Sequence, residues 1–236
     1  MKQAVFIGLF LFIGLFSSAQ NPSAMPAKLY PALQQYLQAR ATEFDQIPDL
    51  RREELLELAG FIRETQQAAK QPQLTFICTH NSRRSHMAQL WMAAAMAYAD
   101  AGKVSTYSGG TQVTAFNERA VTAMHNAGFR IKGDGANTNP TYEVRWSDEV
   151  EGSDCFSKHY AHESNPQQGF AAVMTCSQAD EACPIVFGAT ARFAIAYEDP
   201  KVADNTPDEA RLYAERCAQI ARELLFVAMT VKNQQH

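Results

Sequence analysis

The chain opens on an almost unbroken apolar run, AVFIGLFLFIGLF, over residues 4–16. Lys2 precedes it, and Ser17-Ser18-Ala19 follows with small residues at the −3 and −1 positions of a cleavage point. That order predicts a signal peptide over residues 1–19, with an uncleaved N-terminal anchor as the alternative. The run is too short to span a bilayer comfortably, and no second stretch of about 20 apolar residues follows it. Residues 20–27 are small and polar around Pro22 and Pro26, and predict a linker. Two helical periodicities come next. One covers residues 29–44 through Leu29, Leu33, Tyr36 and Leu37; the other covers 51–69 through Leu55, Leu56, Leu58, Ala59 and Ile62, with Asp49 as its expected N-cap. Residues 28–70 therefore read as a helical extension that packs on a main domain.

From Pro72 the period shortens, and residues 71–236 read as the catalytic domain. Residues 74–77 (LTFI) are β-prone. A helix over 84–101 puts Met87, Leu90, Trp91 and Ala94 on one face. A strand over 104–107 follows, then a helix over 117–127 stopped by Gly128, a short strand over 129–131 and a turn-rich loop over 133–140. Residues 170–174 (FAAVM) form a buried strand; 193–196 form another, ended by Asp199-Pro200. Pro207 opens a helix that runs to about residue 231. Strands alternating with helices predict an α/β fold of three layers around a mostly parallel central sheet.

Composition narrows the class. The chain has 236 residues, 46% hydrophobic and 19% charged, with a formal net charge of −4. This fits a folded globular protein and gives no reason to expect nucleic acid or an anionic membrane surface as partner. The five cysteines, Cys78, Cys155, Cys176, Cys183 and Cys217, are an odd number, so at least one thiol stays unpaired within a chain. No CxxC pair or His/Cys cluster stands at zinc spacing, so neither a metal nor a cofactor is expected.

The chemistry concentrates after the first strand of the main domain. Cys78-Thr79-His80-Asn81-Ser82-Arg83-Arg84-Ser85 links a strand to a helix in a C-x5-R pattern. A loop in that position points successive backbone N–H groups into one concavity, and the helix dipole adds positive potential. Thr79, His80, Asn81, Ser82 and Arg83 would line an oxyanion-binding loop. Arg84 offers a planar fork to two oxygens at once. The same field favours the thiolate of Cys78, a nucleophile for a tetrahedral oxyanion. Ser85 can donate to the sulfur, and Asn81 can pin the loop's shape. Asp199, beyond a strand end and stiffened by Pro200, is placed to act as acid and then base.

These residues resemble the low-molecular-weight protein tyrosine phosphatase superfamily, which includes thioredoxin-coupled arsenate reductases. The likeness runs from Leu74 to the C-terminus. It rests on FICTHNSRRSHMAQ, on VSTYSGG followed by FNERAVTAMHNAGF, on FAAVMTCSQADEACP and on YEDP. It implies Cys78 as nucleophile, Arg84 as oxyanion binder, Ser85 as the residue that tunes the thiolate and Asp199 as general acid. His80 stands where the family usually carries Gly, which predicts a narrowed loop or an unusual backbone angle there. Arg83 replaces a second loop Cys found in many relatives.

The resemblance implies two fates for the intermediate on Cys78. In the arsenate-reductase branch, the expectation put first, Cys176 attacks the Cys78–arsenic adduct. Cys183 then takes over the bond, and a thioredoxin-like reductant restores the thiols. In the phosphatase alternative, water resolves a phosphocysteine formed from a phosphomonoester. A non-catalytic oxyanion-binding module is a third reading. Aromatic lips that would hold a phenyl ring are sparse: Tyr197 near the acid loop, with Tyr142 and Trp146 as further candidates. A structural Cys176–Cys183 disulfide also fits an exported, periplasmic protein. Cys217 reads as a packing residue inside the last helix, and Cys155 as a free thiol or a pairing partner.

Overall fold

A computed structural model describes residues 28–136, 138–183 and 185–234. The expected signal peptide and linker, residues 1–27, lie outside the described residues. The helices are α1 (Pro31–Ala41), α2 (Asp49–Gln67), α3 (Arg84–Ala99), α4 (Glu118–Asn126), α5 (Ser177–Ala182) and α6 (Glu209–Asn233). The strands are β1 (Gln73–Cys78), β2 (Ser105–Gly110), β3 (Arg130–Gly133), β4 (Tyr142–Arg145), β5 (Ser153–Cys155), β6 (Phe170–Met174) and β7 (Ala189–Ala194).

The central sheet has the order β2-β1-β6-β7, and every pairing in it is parallel. A parallel sheet must be covered on both faces, and alternation along its strands shows how. Leu74 and Phe76 of β1, with Ala171 and Val173 of β6, face a large core shared with α2, α3 and α6. Ile77, Ala172 and Met174 face the other way, onto Ala179 of α5 and Tyr160. The second covering layer is thus one short helix and an irregular segment. The order also sets where chemistry belongs. β1 has β2 on one side and β6 on the other, so the carboxyl ends of β1 and β6 flank the crevice of a topological switch point. Cys78 ends β1, and Cys176 lies just past β6.

Both predicted helices of the extension form. α1 starts with Pro31, whose missing N–H costs nothing in a first turn. Pro48, not Asp49, occupies the N-cap of α2, and Asp49 is its first helical residue. Leu33, Leu37, Leu55, Leu58 and Ile62 are fully buried in the same core as Trp91 and Leu224. Tyr36 stacks on Trp91 with ring centroids 5.2 Å apart. The extension is therefore part of the main hydrophobic core.

Three features differ from the sequence expectation. β2 continues to Gly110, beyond the expected residue 107. β7 covers Ala189–Ala194 rather than 193–196, because it is an edge strand whose half-buried and exposed positions alternate. A separate antiparallel sheet, β3-β4-β5, was not anticipated beyond its first strand. Strands of four, four and three residues leave too short a stretch for a period-two pattern to register. Among the described residues no helix is long and apolar enough to cross a membrane.

Because Leu58 is fully buried in the shared core, Leu58→Ala is expected to lower the unfolding free energy by about 3 kcal/mol in a denaturant melt. A loss below about 1 kcal/mol would show that the extension is not part of the cooperative unit.

Candidate active site

β1 ends at Cys78 and α3 begins at Arg84, so five residues make the turn. Four carbonyl groups from Cys78 to Ser82 are committed to the loop's surroundings. Cys78 O accepts from Thr111 N at 3.3 Å, and Thr79 O from Gln112 N at 2.7 Å. His80 O accepts from Ser157 Oγ at 2.9 Å, and Ser82 O from Asn117 N at 2.8 Å. With the C=O side of these peptides anchored outward, their N–H side faces the concavity at the start of α3, where anions bind favourably. The left-handed residue of the loop is Asn81, with φ of 44°, and not His80. The unusual angle expected at His80 is therefore displaced by one residue, onto a side chain that tolerates it. Room for the turn comes from β2. A Cβ on Gly110 would lie 2.7 Å from Asn81 N and 2.9 Å from His80 C.

Asn81 then links the loop's bracing to Ser85 and Cys78. Its Oδ1 accepts from the backbone N–H of Lys158 at 2.9 Å, which fixes the orientation of the amide. Its Nδ2 donates to Ser85 Oγ at 2.9 Å. Ser85 Oγ lies 3.1 Å from Cys78 Sγ and, while accepting from Asn81, keeps its own hydrogen available to the sulfur. A thiolate on Cys78 is stabilised by that donation.

Arg84 is buried and its fork grips one segment at two points. Nη1 donates to Tyr197 O at 3.0 Å, and Nη2 donates to Asp199 Oδ2 at 2.7 Å. Asp199 Oδ1 accepts from Lys201 N at 3.1 Å and caps a 3-10 turn over Pro200–Ala203. The expected acid and oxyanion binder are thus in direct contact. Arg83 works differently: Nε donates to Tyr213 Oη at 2.7 Å and Nη2 reaches Asp204 at 3.3 Å. Its side chain is a strut between loop and α6, and only its backbone belongs to the oxyanion loop.

The remaining cysteines divide into two groups. Cys176 is fully buried; its Sγ lies 3.4 Å from Thr79 Oγ1 and caps α5 by accepting from Ala179 N at 3.3 Å. α5 fills the spacer, so Cys183 closes the helix that Cys176 opens. Cys78, Cys176 and Cys183 meet in one apolar cluster with Ile77 and Met174. All five thiols are free. Cys155 and Cys217 lie apart, in the main core, and burial pushes their thiols up to about 12 and about 11. Trp91 Nε1 donates to Cys217 Sγ at 3.4 Å, as suits a packing residue.

Sequence reading missed the bracing residues. Ser157 and Lys158 hold the loop from the segment after β5, and Asn139 in turn donates to Ser157 O at 2.8 Å. His86 is buried against Phe116 at 4.1 Å, with Nδ1 3.1 Å from Ser108 Oγ. Burial, with the nearby Lys158 charge, holds it well below the usual histidine range, so it stays neutral. Beside the loop a cleft of about 560 Å³ is lined by His80, Arg83, Phe116, Tyr142 and Lys201 among others. Tyr142 and Trp146 both pack on the main core, and of the two Tyr142 also lines the cleft.

No protein-family model and no curated protein matches this sequence. Similar solved structures include YwlE from Bacillus subtilis, in mutant form, at 14% identity over 70% of this chain and 98% of that one, with a TM-score of 0.44. A low-molecular-weight protein tyrosine phosphatase from T. tengcongensis is 17% identical over 65% of this chain and 95% of that one, with a TM-score of 0.45. The YwlE arginine phosphatase from Geobacillus stearothermophilus is 14% identical over 70% and 95%, with a TM-score of 0.43. Identities of this size do not carry substrate preference from one chain to another.

Two substitutions check the geometry. Ser85→Ala is expected to slow alkylation of Cys78 at neutral pH by about tenfold, read by mass spectrometry of the modified peptide. Gly110→Ala is expected to abolish binding of phosphate or vanadate in a calorimetric titration, since its Cβ would displace the loop. Unchanged anion affinity would contradict the close approach.

Proposed function

We propose that this protein hydrolyses phosphomonoesters through a phosphocysteine on Cys78. The observation that carries the reading is the contact of Arg84 with Asp199, which sets an acid beside a loop whose amides and thiol suit a tetrahedral anion. An incoming phosphate would take the Arg84 fork for its equatorial oxygens, releasing Asp199 toward the leaving group. Cys78 attacks phosphorus, the S–P bond forms, and the ester P–O bond breaks as Asp199 hands a proton to the departing oxygen. Water then attacks the phosphocysteine with Asp199 as base. Inorganic phosphate leaves, and the thiolate returns to the Ser85 hydroxyl. The cleft with Phe116 and Tyr142 beside the loop supports an organic leaving group.

Arsenate reduction, with a thioredoxin-like reductant, is the second reading. It is favoured by the gathering of Cys78, Cys176 and Cys183 in one cluster and by the position of Cys176 at Thr79. It ranks second because Cys176 is fully buried and caps α5, so the helix would have to open before that thiol reached Cys78. The apolar run and small residues of 4–19 support placing the enzyme outside the cytoplasm, with residues 71–236 as its catalytic unit.

Purified protein is expected to release phosphate from an aryl phosphate. Cys78→Ser should remove turnover, and Asp199→Asn should lower kcat by about a hundredfold. A parallel assay with arsenate, a thioredoxin system and NADPH decides between the readings. NADPH consumption that is lost in Cys176→Ser, without aryl phosphate turnover, would replace the first with the second.

A further inference from the structure

Arg51 links the helical extension to the acid segment. Arg51, in the first turn of α2, donates from Nη2 to Ala196 O. Its guanidinium carbon lies 5.4 Å from the centroid of the Tyr197 ring. Its Nε is 3.5 Å from Glu223 Oε2 on α6, and its Nη1 is 2.6 Å from Glu54 Oε2 on its own helix. One planar cation therefore ties together α2, α6 and the stretch that carries Asp199.

That stretch needs holding. Ile195 N bonds Met174 O at 2.9 Å and Tyr197 N bonds Thr175 O at 3.1 Å, beyond the last paired residues of β7. From there the chain runs to Asp199 outside the sheet. Arg84 grips it on the active-site side, at Tyr197 O and Asp199. Arg51 grips it from behind, at Ala196 O and the Tyr197 ring. The anchor for Arg51 is Glu223, which is 1% exposed and also accepts from Gln219 Nε2 at 2.9 Å. Burial raises the Glu223 carboxyl, while the Arg51 charge works in the opposite direction, so cation and carboxylate stabilise each other in place.

We propose that Arg51 is a positioning residue of the active site: from the N-terminal extension it fixes residues 196–199 and so sets Asp199 against the leaving group. This rests on the reading of Asp199 as general acid. Proton transfer in a transition state is sensitive to small displacements of the acid, whereas the loop that receives the phosphate is braced by other contacts, from Thr111, Gln112, Asn117 and Ser157.

The test uses two esters on the full chain. Phenyl phosphate has a poor leaving group and depends on the acid; 4-nitrophenyl phosphate depends on it far less. Arg51→Met is expected to lower kcat on phenyl phosphate by about tenfold and on 4-nitrophenyl phosphate by less than about threefold. Since Arg51→Met strands a buried carboxylate, the double variant Arg51→Met, Glu223→Gln is measured beside it, with thermal unfolding as the check on folding. The same ester-dependent loss in the double variant supports the proposal. Recovery of wild-type kcat on phenyl phosphate in the double variant overturns it, because Arg51 would then only neutralise Glu223. Equal losses on the two esters also overturn it. If Asp199→Asn itself shows equal losses on both esters, the acid assignment fails and takes this inference with it, an outcome separable from failure at Arg51 alone.

Discussion

The amide of Asn81 is the contact on which the site depends. Asn81 carries the loop's left-handed turn, a conformation that an Asn side chain tolerates and that local hydrogen bonds secure. The side chain supplies the hold at both ends, accepting from Lys158 N and donating to Ser85 Oγ. The first bond requires the segment after β5 to lie against the loop. That in turn requires β2 to end without side chains, since a Cβ on Gly109 would lie 2.3 Å from Tyr160 Cα and one on Gly110 would collide with the loop. The second bond leaves the Ser85 hydrogen available to Cys78. One amide thus links the loop's backbone turn, the packing of a distant segment and the chemistry of the nucleophile.

A second constraint is the treatment of positive charge. Arg84, Arg83 and Arg51 converge on the region where the anion is expected, and each is matched by a carboxylate: Asp199, Asp204 and Glu223. Unpaired, these largely buried cations would be costly to desolvate; paired, they are neutralised while keeping their geometry. The match at Arg84 is the exchangeable one. Asp199 is half-buried and lies in a connection beyond β7 rather than in a strand, so an oxyanion can take its place on the fork. The other two are braces: Arg83 ties the loop to Asp204 and to Tyr213 of α6, and Arg51 ties the acid segment to Glu223 of α6.

Burial also sorts the thiols. Cys155 and Cys217 sit in the main core, where the cost of a buried charge keeps them protonated and unreactive. Cys78, Cys176 and Cys183 occupy the thinner layer on the opposite face of the sheet, which is closed by only one short helix and the segment around Tyr160. Any chemistry between thiols would take place in that layer, where the three sulfurs share one cluster.

The strand, loop and helix from Leu74 to Ala99 were legible because their determinants are consecutive: a β-prone run, a C-x5-R turn and a helical stripe. The burial of Cys217 was legible as well, from its place inside the last helix. The braces were not. Asn81 meets Lys158 across 77 positions, Arg83 meets Tyr213 across 130, and Arg51 meets Ala196 across 145. No local pattern encodes such pairs, and short strands such as β4 and β5 leave too little periodicity to announce the sheet that delivers them. By itself the sequence picked out Cys78, Arg84 and Ser85 as candidates for the chemistry, since those residues are neighbours along one turn. Only the tertiary structure decided which residues hold them, because a left-handed turn and a buried cation are stabilised by groups that chain packing, not chain order, brings within reach.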